Sequence, residues 1–162
     1  MHALARTIVV GLVAVAVLAT GVLSAPAQGT DPRVGTWKLN VAKSKYNPGP
    51  PPKSMTVTVK AVGKGETVNT EQLTADGKTI KTEYTADFDS KEYPISGAPN
   101  SDTVSLKRIN ARTTERTDKK GGKVTQVLRR TVSADGKTMT VTVKGKNAEG
   151  KDINHRIVFD KQ

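Results

Sequence analysis

Few side chains of this 162-residue chain are of a type that could do chemistry, and their spacing limits what that chemistry could be. His155 is the single histidine after residue 27, and no cysteine occurs anywhere. One imidazole without a thiol cannot complete an ordinary zinc site, so no metal is expected. A Ser-His-Asp triad would need His155 beside an activated serine, but the serines fall in turns or on polar strand faces. No nucleophile elbow is present. Asp87, Asp89 and Glu92 cluster around a turn, yet Lys91 sits among them and the spacing and glycine of a calcium loop are missing. Turn chemistry accounts for them better. Gly63-Lys64 and Gly121-Gly122-Lys123 lack the strand-to-helix context of a phosphate loop, and nothing singles out a carboxylate pair for glycoside cleavage. No catalytic residue and no cofactor are expected, and the chain does not read as an enzyme.

Charges on faces that otherwise look inward are more informative. Arg108 continues the face of Val104 and Leu106, and Arg130 lies between Leu128 and Val132. A buried, unpaired guanidinium is very costly. Each must pair with an acid, reach water at a barrel mouth, or meet an anionic ligand. Glu115, alternating with Thr113 and Thr117, is one internal partner the pattern offers. Arg108, Arg130, Tyr84 and His155 are therefore the candidate ligand-binding side chains. The plainer readings are structural ion pairs for the arginines and a half-buried strand position for His155.

The elements that must carry these residues are strands. Met55-Val57-Val59-Ala61 alternate with Ser54, Thr56, Thr58 and Lys60, and Ile80-Thr82-Tyr84-Ala86-Phe88 alternate with Lys81, Glu83, Thr85 and Asp87. Period two with abundant Thr and Val is β composition. Val104-Leu106, Met139-Val141-Val143 and Ile153-His155-Ile157-Phe159 repeat it, and no sustained 3.6 period follows residue 27. Thr74-Ala75-Asp76-Gly77-Lys78-Thr79 recurs almost unchanged as Ser133-Ala134-Asp135-Gly136-Lys137-Thr138. Asp-Gly there suits a type I turn closed by a left-handed glycine. Lys119-Lys120-Gly121-Gly122 and Ala148-Glu149-Gly150 mark two further turns. Counting between turns predicts about ten short strands, at 34–41, 54–62, 66–74, 78–88, 91–95, 102–110, 112–118, 123–133, 137–145 and 151–160. The expected fold is all-β: an up-and-down antiparallel meander that curls and closes into a barrel, with little or no helix. Lys43 to Lys53, with Asn47-Pro48-Gly49-Pro50-Pro51-Pro52, can be neither strand nor helix. It is either a stiff spacer between the first two strands or a rigid flap over a barrel mouth.

The first residues read as an address. One fixed charge at Arg6, an uncharged apolar stretch from Ile8 to Leu23, and Ala25-Pro26-Ala27 fit a cleavable export signal over 1–27. The mature chain then starts at Gln28 and forms a single domain over 28–162, placed in the periplasm or secreted. No cysteine is available for lipoprotein acylation. The mature chain carries 25 basic and 15 acidic residues, net +10. Such a balance suits an anionic envelope polymer or lipid surface, or simple solubility. Nucleic acid is the less fitting polyanion outside the inner membrane, and a monomer is expected. The six aromatics of the whole chain make a lean core, easier to reconcile with a partly wet barrel than with a solid sandwich.

Gly35-Thr36-Trp37-Lys38-Leu39 near the mature start and Val158-Phe159-Asp160-Lys161 at the end resemble the calycins, that is lipocalins and fatty-acid-binding proteins. The texture is also similar to small secreted bacterial proteins described as lipocalin-like. The resemblance implies a barrel around a cavity for a small apolar or amphipathic ligand. It also implies that Trp37 plugs one end, with an arginine over its face; Arg156 is the candidate. Two departures stand out. The proline segment occupies the place of the two helices of fatty-acid-binding proteins. Ile157 and Phe159 stand where those proteins hold a carboxylate with Arg-x-Tyr, so a fatty-acid carrier of the usual kind is not implied.

Overall fold

The computed structural model describes residues 31–162; the expected export signal and the mature start at Gln28 lie outside the described residues. Ten strands follow one another: β1 (Gly35–Leu39), β2 (Ser54–Val62), β3 (Gly65–Leu73), β4 (Thr79–Asp87), β5 (Glu92–Ser96), β6 (Thr103–Asn110), β7 (Thr113–Lys120), β8 (Lys123–Val132), β9 (Thr138–Lys146) and β10 (Asp152–Lys161). Each pairs antiparallel with its sequence neighbour, and β1 pairs with β10, so the sheet closes on itself. The expected meander and its closure are present, and no helix occurs among the described residues. Closure leaves neither β1 nor β10 as an unpaired edge.

Alternation decides what faces inward. Val57, Val59, Val68, Tyr84, Leu106, Met139, Val141, Ile157 and Phe159 are buried, and the Thr and Lys residues between them form the outer face. Both repeated turns close as expected. Gly77 and Gly136 take φ of 88° and 70°, and their amides donate to the carbonyls of Thr74 and Ser133 at 3.0 Å. A residue with a Cβ is strained in that left-handed conformation.

The connection from β1 to β2 does not simply span a gap. Lys45 pairs with Arg156 as a β-bridge, and the Asn154 amide donates to the Asn47 carbonyl at 2.7 Å. The chain thus runs along β10 before its prolines cross the barrel end, where the turns after β3, β5, β7 and β9 also lie. This end is the mouth. The far end carries the turns after β2, β4, β6 and β8, and β1, with the wholly buried Trp37, starts from it.

Candidate functional site

A cavity of about 680 Å³ opens from the mouth into the barrel. Tyr46, Pro48, Pro50 and Pro52 of the proline strap line its outer part, together with Asp76, Asn100 and Glu149 from the rim turns. The strap is therefore part of the cavity wall as well as a connection. Below it the wall is largely apolar, with Met55, Val57, Ile80, Leu128, Val141 and Phe159. The inner end is polar: Thr114, Arg116 and Arg130 face the space beside Tyr84.

These polar side chains belong to two buried ion-pair groups. In the first, the Arg130 Nη2 donates to the Glu66 carboxylate, and its Nε donates to Thr114 Oγ1 at 3.3 Å. The Tyr84 hydroxyl donates to the same carboxylate at 3.0 Å. Arg33 approaches Glu66 from the far end, with Nη1 at 3.8 Å from Oε2, and pairs on its other side with Asp31. In the second group, the Arg116 Nη2 donates to Asp118 at 2.8 Å, its Nε lies 2.7 Å from the other carboxylate oxygen, and the Ser101 hydroxyl donates at 3.3 Å. The Arg116 guanidinium stands 5.2 Å over the Tyr84 ring and links the two groups. Burial pushes the Tyr84 phenol up to about 12, keeping it a neutral donor. At both Arg116 and Arg130 burial opposes the charge, but the neighbouring carboxylates, Asp118 and Glu66 respectively, outweigh it and hold each guanidinium ionised.

The structure brings Tyr84, Arg130 and His155 to the cavity wall. The Nδ1 of His155 accepts the Asn47 amide at 3.0 Å, and its ring lies 4.9 Å from Tyr46, tying the strap to β10. Burial lowers its pKa from the ordinary imidazole value, favouring the neutral form that can accept. Arg108 does not line the cavity. Its strand reaches the far rim beyond Leu106, and the guanidinium pairs there with Asp31 at 3.1 Å while stacking 4.4 Å from the Phe88 ring.

Two expected partners are corrected. Glu115 does not meet Arg130. Thr114 pairs with Arg130 and Arg116 with Leu128, so the even positions of β7 face inward and Glu115 faces out. Arg156 does not cover Trp37. It alternates with inward-facing His155 and Ile157, and it points outward. Lys161 covers the indole instead, because Trp37 and Lys161 are direct cross-strand partners, and its Nζ lies 5.1 Å from the ring. A Cβ on Gly35 would come within 2.9 Å of the Lys161 Cε, so the glycine of the Gly-x-Trp motif makes room for that lysine. Trp37 is wholly buried, and its Nε1 donates to the Arg33 carbonyl at 2.9 Å.

Arg33, Glu66, Arg116 and Asp118 were not among the residues expected to matter. A signal existed for Glu66, which shares the phase of Val68 on β3. None existed within β7, whose eight residues include no apolar one to set the phase.

No family model matches the chain, and no curated protein matches it. Among solved structures, the zebrafish ileal bile acid-binding protein complexed with cholic acid is similar, with a TM-score of 0.40 and 14% identity, over 81% of this chain and 99% of that one. At that distance nothing about a ligand passes from that protein to this one. The calycin-like architecture rests on the chain's own strand pairing, which closes ten antiparallel strands in sequence order.

Proposed function

We propose that this chain is an exported, non-catalytic binding protein that holds a small apolar or amphipathic molecule in its barrel cavity. One observation carries the reading: a space of about 680 Å³ with an apolar wall, a polar inner end and a strap across its mouth. A ligand gains from leaving water along the wall, by roughly 25 cal/mol per Å² of apolar surface buried. Its polar group meets donors at the inner end. The strap, held through Asn47 and His155, limits escape. The test is native mass spectrometry of the purified mature protein, released under mild activation. A reproducible adduct of small-molecule mass that disappears on denaturation supports the reading. A protein that stays bare, and takes up no uncharged hydrophobic fluorophore, overturns it.

A second reading has its own observation. Arg129, Lys144 and Arg156 project from the outer face of β8, β9 and β10, with Lys45 alongside. None of the four has a carboxylate within ion-pair distance among the described residues. Such a face suits an anionic envelope polymer or lipid surface.

A further inference from the structure

Arg116 and Arg130 are the cations that line the cavity, and each is already matched by a buried carboxylate, Asp118 and Glu66 respectively. The same holds for the inward set: Arg33, Arg116 and Arg130 stand against Asp31, Glu66 and Asp118, and the further cation on Asp31, Arg108, is exposed on the far rim, outside the cavity. The other charged residues lining the space are Asp76 and Glu149 at the mouth; neither is a cation, and Asp76 is paired with Lys78 at 3.0 Å. An anionic ligand would arrive at guanidiniums with no charge left to satisfy. It would leave an uncompensated negative charge in a low-dielectric interior, which is strongly unfavourable.

Neutral polar groups find a different reception. Each guanidinium has five N–H donors, and the carboxylates and Thr114 do not take them all. The Tyr46 hydroxyl is buried on the cavity wall without a partner among the described residues, and burial pushes its pKa up to about 12, so it too offers a neutral O–H. A hydroxyl, carbonyl or ester oxygen can use these donors and adds no charge.

We propose that the cavity selects an uncharged amphiphile, one bearing hydroxyl, carbonyl or ester oxygens, and discriminates against the corresponding carboxylate. This rests on the cavity being the binding site. The test is displacement of N-phenylnaphthylamine, an uncharged fluorophore, from the mature protein by dodecanol, methyl dodecanoate and dodecanoate at neutral pH. All three share one chain, so only the head group differs. The alcohol and the ester should compete at least about tenfold better than the carboxylate, reflecting the cost of an unmatched buried charge. Asp118→Asn and Glu66→Gln each remove one interior negative charge, and each folded variant should shift preference toward the carboxylate by a similar factor. Carboxylate binding as tight as the alcohol's in the unmodified protein overturns the inference and leaves the binding reading standing. No binding of the fluorophore or any of the three overturns both. The comparison in the unmodified protein decides the matter even if neither variant folds.

Discussion

Glu66 is the residue on which the inner end of the cavity depends. It accepts from Tyr84 and Arg130 and lies close to Arg33, and it is almost wholly buried. Removing one member of a buried pair is far worse than removing both, because the survivor keeps its charge without a partner. Glu66→Gln should therefore cost about 3–5 kcal/mol, whereas Glu66→Leu with Arg130→Leu should cost clearly less. Urea midpoints of the two variants against the parent check the order. His155 makes a separate prediction. The fold favours its neutral form, so the unfolded chain takes up a proton near 6.5 while the folded chain resists until a lower pH. Its contribution is complete above 6.5 and is lost as the pH falls below that value. Protonated Nδ1 cannot accept the Asn47 amide, so that amide should exchange with solvent faster as acid is added. His155→Gln, which keeps an acceptor and does not titrate, should abolish the pH step. Amide exchange followed by NMR reads both.

Among the elements, β5 is the weakest part of the wall. It pairs with β4 only through Glu83 with Ser96 and Tyr84 with Ile95, and with β6 only from Glu92 to Pro94. β9 is paired along nearly its whole length with both neighbours. Local opening follows local pairing and burial. Amides of β5 should therefore exchange well before those of β9, and equal protection of the two strands would contradict this picture. Most strand limits were readable from alternation and from the Asp-Gly and Gly-Gly turns. The inward phase of β7 was not readable. Its sequence Thr-Thr-Glu-Arg-Thr-Asp-Lys-Lys offers no apolar residue, so only pairing with Leu128 and Arg130 of β8 turns Arg116 inward and Glu115 outward.

For the whole molecule, the closed barrel separates two kinds of interaction. Binding inside the cavity is shielded from salt, whereas attraction of an anionic surface to Arg129, Lys144 and Arg156 is screened once the Debye length falls to about 8 Å at physiological ionic strength. Retention on vesicles containing phosphatidylglycerol should collapse between low and physiological salt, while fluorophore affinity in the cavity should change little. Salt dependence of the fluorophore matching that of the vesicles would place it on the outer face. The lean set of aromatics is also explained at this scale. Trp37 and Phe159 are buried toward the far end, and the space above them is left open, so fewer large side chains are needed than in a solid core.

The sequence by itself determined the strands, the repeated turns, the antiparallel meander and the inward aspect of Arg130 and Tyr84. These follow from the pleat of the backbone and the conformational freedom of glycine, both of which act over a few residues. Only the tertiary structure decided which acid meets which base. Arg130 finds Glu66, 64 residues away, and Trp37 is covered by Lys161 rather than Arg156. Those partners are set by how the strands stagger as the sheet closes, and an alternating pattern carries no record of that stagger.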